Sequence, residues 1–165
     1  VILNTAVVGY QEMITDPANA GKILVFTYPL IGNYGCAPKF SESGKIWVSG
    51  LVMKEKSKIY SNWQAKSSLD DFLKAHKKTA IYNLDTRTLT VHLREKGPLT
   101  GIISTLEFDP QKLADKIKKF KQQPIKTWLP EVSVQKIHSL GKTKGKKIAV
   151  LDLGATCGLI SHLEA

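Results

Sequence analysis

Two cysteines, Cys36 and Cys157, are the residues whose chemistry could include nucleophilic catalysis. A catalytic thiol must be available as a thiolate, with a histidine in hydrogen-bonding reach and a carboxylate that orients this histidine. Cys36 stands in Gly-Cys-Ala-Pro and Cys157 in Thr-Cys-Gly, and neither has a CxxC partner or a histidine at metal-ligand spacing. The sequence therefore predicts two reduced thiols, no catalytic residue, no metal site and no disulfide in this segment.

Phosphate binding is the second chemistry to consider. Neither GxxxxGK[ST] nor GxGxxG occurs, and Gly141, Lys142 and Thr143 lack the upstream glycine and the preceding strand of a phosphate loop. The formal net charge of +10 could attract nucleic acid, but the lysines cluster without interleaved aromatic residues, in residues 54–58, 112–126 and 136–147. We expect a solvated basic surface and no nucleic-acid partner. The alternative, a basic nucleic-acid-binding module, predicts salt-dependent binding to generic DNA or RNA.

The composition limits the size and class of the protein. A chain of 165 residues, 42% hydrophobic and 23% charged, can bury one core, which favours one globular domain plus a fragment. No apolar run approaches membrane-spanning length and no secretory signal is present, so we expect an intracellular protein without a membrane partner.

The first 35 residues are predicted to form the unit on which the rest of the chain packs. Residues 1–8 and 22–28 are apolar and rich in β-branched side chains, which indicates two buried strands. Thr15, Asp16 and Pro17 lie between them and predict a capped turn. Residues 32–35, Gly-Asn-Tyr-Gly, allow a sharp bend that brings bare backbone against a partner.

Later elements follow from caps and periodicity. We predict strands at 46–53, 79–84, 101–106 and 146–153, with a bulge or close backbone approach at Gly50. Helices are predicted at 69–76, at 86–96 after the cap Asp85, from Pro110 onward, and after Gly154. Trp63 is predicted to be a core or interface anchor.

Several short sequence motifs are specific enough to indicate a protein family. NTAVVGYQEMITDP at 4–17 is followed by TYPLIGNYG at 27–35, and SNW, SLD with FL, LDTR with LT, and LREKG occur between residues 61 and 97. In this order and spacing they resemble the amino-terminal domain of the small, glutamine-dependent chain of carbamoyl-phosphate synthetase. The resemblance extends from residue 1 to about residue 104 and resumes at residue 148.

The resemblance implies an α/β fold: a three-layer β/β/α swivelling domain followed by the first strand and helix of a doubly wound class I glutaminase domain. The corresponding boundaries are 1–140 for the first domain, 141–147 for a linker and 148–165 for the start of the second. By the same resemblance we expect the chain to be a piece of a longer protein, with about a strand pair before Val1 and the catalytic part of a glutaminase after Ala165. The family's G-x-C-x-G and H-x-E patterns are absent here, and Thr156, Cys157 and Gly158 replace basic residues usual after the glycine.

The implied function is non-catalytic docking within a glutamine-hydrolysing synthase. The expected partners are the large synthetase subunit and the chain's own glutaminase domain, with glutamine as a ligand of the complete protein. No cofactor is expected in this segment, whereas ATP and Mg belong to the large subunit, which makes carbamoyl phosphate from bicarbonate and ammonia for pyrimidine and arginine synthesis. The implied location is cytoplasmic, or mitochondrial for a fused ammonia-dependent form.

The resemblance also implies site residues. Relatives that hydrolyse glutamine usually carry a serine after Thr-Asp-Pro, whose hydroxyl contacts the glutamine, and this position is Ala18 here. The missing hydroxyl resembles ammonia-dependent relatives, so both nitrogen sources stay open. Candidate interface residues are polar or aromatic where core packing does not require it: Tyr10, Gln11, Tyr28, Asn33, Arg87 and Arg94. A further alternative is an independent small enzyme that uses one of the two cysteines.

Overall fold

The computed structural model describes residues 1–120, 127–141 and 147–164. Its six strands are β1 (Ile2–Asn4), β2 (Ile23–Phe26), β3 (Leu30–Ile31), β4 (Gly50–Val52), β5 (Glu55–Lys56) and β6 (Thr79–Ile81). Its helices are α1 (Tyr10–Thr15), α2 (Leu69–Ala75), α3 (Thr86–Lys96), α4 (Pro110–Lys119), α5 (Leu129–Val132) and α6 (Cys157–Glu164), with short 3-10 turns at Pro17–Asn19 and Pro38–Phe40.

A four-stranded parallel sheet of order β1-β2-β4-β6 forms the centre of the fold. Leu24 pairs with Ile2 on one side and with Leu51 on the other. β3 and β5 form a second, two-stranded parallel sheet. The mixed α/β class with parallel sheets confirms the coarse part of the predicted fold.

Strand alternation divides the core between the two faces of the main sheet. Leu24, Phe26 and Leu51 point to one face, where they pack with residues from α1, α2 and β3. Val25 and Val52 point to the opposite face, where they pack with Leu93 of α3 and with Ile103. The strands are therefore apolar on both faces, as expected when both faces are covered.

The helix predictions are largely confirmed. α3 has the predicted bounds: the Asp85 carboxylate accepts bonds from the amides of Arg87 and Thr88 at 3.1 Å, and Gly97 follows the last residue with φ 79°. Ser68 caps α2, and Asp109 caps α4. Pro110 occupies the first position of α4. The apolar residues Leu113 and Ile117 of α4 are half-buried, and Phe120, which follows the helix, is exposed.

The first predicted strand is too long. β1 ends at Asn4, whose side-chain oxygen accepts a hydrogen bond from the Ala6 amide at 2.8 Å and so turns the chain. Val7 and Val8 are exposed. Gly50, in contrast, shows the predicted close approach, because a Cβ there would lie 2.9 Å from Ile103 Cδ1.

Two predicted strands and one core residue are corrected. Residues 101–106 pack against the main sheet through the side chain of Ile103 but do not pair with it as a strand. Residues 147–153 form no strand. A strand requires a neighbour to pair with, and none of the described strands pairs with either segment. Trp63 is 90% exposed and is not part of the core, whereas its predicted alternative role as an interface anchor stays a prediction.

Other predictions near the carboxyl end stay open. The helix after Gly154 is confirmed as α6. Residues 142–146, most of the predicted linker and the start of the last predicted strand, lie outside the described residues. The domain boundaries at 140 and 147 stay predictions. Within the described ranges, no helix is long and apolar enough to cross a membrane.

Candidate functional site

The candidate site is the turn of residues 15–18, which carries the Ala18 position and which we call the Asp16 turn. Asp16 Oδ1 accepts a hydrogen bond from the Ala18 amide at 2.8 Å, and Pro17 fixes the following backbone. Lys22 Nζ donates to the Ala18 carbonyl at 2.7 Å. Ala18 itself is exposed, so a side chain at this position faces outward from a rigid turn.

Gln11 of α1 fixes the loop of residues 36–43. Its Nε2 donates to the Ala37 carbonyl and to Ser41 Oγ, both at 2.8 Å, and its Oε1 accepts from the Ala37 amide at 2.9 Å. The side chain is completely buried. Because a buried amide needs all of these partners, α1 and the loop hold one another in a single arrangement.

Tyr10 and Tyr34 form the second connection between α1 and this region. Their rings stack with centroids 4.2 Å apart. Tyr34 Oη accepts from the amides of Gly9 at 2.7 Å and Tyr10 at 3.1 Å, while Tyr10 Oη donates to the Gly35 carbonyl at 2.6 Å. Burial raises the pKa of the Tyr10 hydroxyl, which keeps it protonated as a donor.

These contacts correct part of the predicted interface set. Tyr10 and Gln11 are buried, so their polar atoms serve internal hydrogen bonds and their side chains offer no surface to a partner. Tyr28 is half-buried and packs against the core, and Asn33 is exposed. For these last two residues, contact with a partner stays a prediction.

Arg87 and Arg94 lie seven residues apart on α3, which places them on one face of the helix. Both are exposed, and Val91 between them is exposed as well. Among the described residues, neither arginine forms an ion pair. This surface, the α3 face (Arg87, Val91, Arg94), therefore combines two unpaired guanidinium groups with an apolar centre.

The two thiols differ in their surroundings. Cys36 is buried, and desolvation followed by the nearby charge of Glu12 raises its pKa to about 12. A thiol in this state is protonated at neutral pH and is not a nucleophile. Cys157 is exposed on α6. Within the described part of the chain, no group of three or more His, Cys, Asp or Glu residues has metal-binding geometry.

Glu12 is the one described residue with a buried side-chain oxygen that has no hydrogen-bond partner, its Oε2. Burial, followed by the charge of Glu42, raises the pKa of the Glu12 carboxyl, while a backbone hydrogen bond partly opposes the shift. A carboxyl group with a raised native pKa binds its proton more tightly in the folded protein than in the unfolded chain. Stability therefore falls as the pH rises above the ordinary range of glutamate.

We expect the Glu12→Gln variant to be more stable than the parent chain at about pH 7, and the difference to vanish below about pH 4, where both forms are uncharged. Urea unfolding at the two pH values measures this. Glu55→Gln, at an exposed position, is the control and changes stability little. A Glu12→Gln variant that is less stable at neutral pH would show that the carboxylate makes a favourable interaction.

Glu42 is a functional residue to which the sequence alone assigns no role. Its carboxylate accepts a hydrogen bond from the Gly158 amide at 2.9 Å, across 116 positions of sequence. Its own amide donates to Thr15 Oγ1 at 2.9 Å, at the first residue of the Asp16 turn. No local pattern marks such a residue, because its partners are distant in the chain.

The family follows from comparison with known proteins. A sequence model described as "Carbamoyl-phosphate synthase small chain, CPSase domain" matches residues 1–103, which include the Asp16 turn, the loop held by Gln11 and α3. The chain belongs to the carbamoyl-phosphate synthase small-chain family. This finding confirms the predicted resemblance and makes the chain a homologue of an enzyme subunit.

Individual relatives show how much of the family protein is present. The carbamoyl phosphate synthase small chain of Aquifex aeolicus is 44% identical over 84% of this chain and 37% of its own length. That of Chlorobaculum tepidum is 36% identical over 100% of this chain and 45% of its own length. That of Nitratidesulfovibrio vulgaris (strain Miyazaki F) is 49% identical over 68% of this chain and 30% of its own length. The chain thus spans less than half the length of these relatives.

Proposed function

We propose that this chain is the docking part of a carbamoyl-phosphate synthase small chain and binds the large synthetase subunit through the α3 face. The observation that carries the proposal is the pair of exposed arginines, Arg87 and Arg94, on one side of a helix whose opposite side is anchored in the core by Leu93. Arginine is enriched at protein interfaces because its planar guanidinium forms paired bonds with carboxylates. A helix fixed in this way holds the backbone of both arginines in place, so that only their side chains must become ordered on binding.

In the proposed complex the chain performs no chemistry. Ammonia released from glutamine, or supplied free, reaches the large subunit, which uses ATP, Mg and bicarbonate to make carbamoyl phosphate. No cofactor is bound by this segment. A large and specific interface is required because ammonia must not escape to water during transfer.

The proposal includes the finer fold assignment. Residues 1–140 would form the three-layer β/β/α swivelling domain, supported by a central parallel sheet that has α3 on one face and α1, α2 and the β3-β5 sheet on the other. Residues 148–165 would begin a class I glutaminase domain, supported by the glycine turn at Gly154 followed by α6.

Charge reversal tests the docking surface. We expect the double variant Arg87→Glu and Arg94→Glu to bind the purified large subunit at least about tenfold more weakly, because two attractive guanidinium contacts become repulsive. Titration calorimetry measures the dissociation constant, and circular dichroism checks that the helix content of the chain is unchanged.

The matched control is Lys116→Glu with Lys119→Glu on the exposed side of α4, which changes the net charge by the same amount. Unchanged association of the arginine variant would contradict the proposal. Equal weakening by both variants would also contradict it, since the attraction would then be non-specific.

The residue at position 18 is the basis of our proposal on how well the complete protein uses glutamine. A side chain at this position points outward from a rigid, exposed turn. Alanine offers no hydroxyl to a ligand there. We propose that the complete protein uses glutamine poorly and relies more on free ammonia than relatives with serine here.

In the longer natural protein assembled with the large subunit, we expect Ala18→Ser to lower the KM for glutamine about fivefold to tenfold, the contribution of one hydrogen bond. The rate supported by ammonia should stay constant. Ala20→Ser, two residues further on, is the control. The same KM in all three proteins would show that the absent hydroxyl does not limit glutamine use.

A further inference from the structure

Glu42 binds the first turn of α6 with two of its oxygen atoms. Its side-chain Oε2 accepts a hydrogen bond from the Gly158 amide, and its main-chain carbonyl accepts one from the Cys157 amide, both at 2.9 Å. The first amides of a helix have no partner within the helix itself. Glu42 supplies partners for two of them from a distant part of the chain.

The same residue is fixed to the Asp16 turn. The Glu42 amide donates to Thr15 Oγ1 at 2.9 Å, and Thr15 Oγ1 donates to the Gln11 carbonyl at 2.8 Å. Ser43 Oγ donates to the Thr15 carbonyl at 2.6 Å. Because Thr15 is buried, these bonds leave Glu42 little freedom to move relative to α1.

A second contact brings the carboxyl-terminal segment to the same place. Gly154 lies so close to the Asp16 turn that a Cβ there would be 3.1 Å from Pro17 Cβ. The Asp152 carboxylate holds the bend before α6 by accepting from the amides of Gly154 at 2.7 Å and Ala155 at 2.6 Å. The segment therefore touches the turn and the Glu42 loop at two separate points.

We propose that Glu42 is an intrachain clamp that docks the start of α6 against the Asp16 turn and so fixes the position of the carboxyl-terminal segment relative to Ala18. A carboxylate at the amino end of a helix is stabilised both by the amides it accepts from and by the helix dipole. The consequence for ligand positioning rests on the proposed function, in which this segment begins the glutaminase domain. The clamp itself does not depend on it.

Hydrogen exchange on the 165-residue chain tests the clamp. In Glu42→Ala we expect the amides of residues 158–161 to exchange roughly 2- to 30-fold faster, the range for loss of a helix cap, while those of α3 keep their rates. Glu42→Gln retains an acceptor oxygen but loses the charge, so an intermediate acceleration is expected. Glu55→Ala, at an exposed position, is the control and leaves α6 unchanged.

Unchanged exchange in α6 of both Glu42 variants would overturn the proposal. Equal acceleration of α6 and α3 would also overturn it, because the loss would then be global. If Glu42→Ala fails to fold, the shape-conserving Glu42→Gln variant decides between these outcomes. The experiment contains no large subunit, so its result is independent of the association test of Arg87 and Arg94.

Discussion

Replacing Gln11 by alanine is expected to lower the free energy of unfolding by about 3 kcal/mol, because a buried amide is left without its partner and a cavity opens. The Ala37 amide loses its Oε1 acceptor, whereas the Ala37 carbonyl keeps a bond from the Phe40 amide at 3.0 Å. Ser41 Oγ loses its donor as well. Urea unfolding monitored by tryptophan fluorescence measures the change.

Two further variants separate hydrogen bonding from packing. Gln11→Met fills most of the same volume without polar atoms, and we expect it to remain at least about 1 kcal/mol less stable than the parent chain. Gln111→Ala, on the exposed surface of α4, should change stability by less than about 0.5 kcal/mol. A Gln11→Met variant as stable as the parent would show that the hydrogen bonds contribute no net stability.

Local signals in the sequence were sufficient for α2, α3 and the start of α4. A cap and its helix are separated by one to three residues, so Asp85 before α3 and Ser68 before α2 could be interpreted without knowledge of the fold. The turn at Asp16 follows from the same kind of short-range geometry. The outcome of these predictions depends little on which other parts of the chain lie nearby.

Strands and buried polar residues depend on partners that the sequence does not reveal. Residues 101–106 and 147–153 have strand composition, yet neither pairs with a described strand. The polar side chains of Tyr10 and Gln11 predict an interface, yet their hydrogen-bond partners are Gly35 and Ala37 of the same chain, about 25 residues away. Family resemblance could place the Ala18 position but could not indicate that Glu42 contacts α6.

In the loop held by Gln11 and Tyr34, neighbouring residues come closest to the backbone at Gly35. Its φ is +70°, and a Cβ there would lie 2.8 Å from both Ala65 Cβ and Tyr60 Cδ2 and 2.9 Å from the Ser67 carbonyl oxygen. We expect Gly35→Ala to lower the free energy of unfolding by about 3 kcal/mol, because backbone strain adds to the overpacking. Thermal and urea unfolding measure the loss.

Two other glycines separate these contributions. Gly9 also has a positive φ, +89°, but its nearest neighbour would be Met13 Cε at an ordinary 3.7 Å, so Gly9→Ala should cost about 1 kcal/mol from backbone strain alone. Gly44 has neither a positive φ nor a neighbour within 4 Å, and Gly44→Ala should leave stability nearly unchanged. Equal losses at Gly35 and Gly9 would mean that the groups facing Gly35, Tyr60, Ala65 and the Ser67 carbonyl, move aside for a methyl group. The close packing of residues 60–67 against the Gly35 backbone would then be compliant, and the overpacking part of the argument would be wrong.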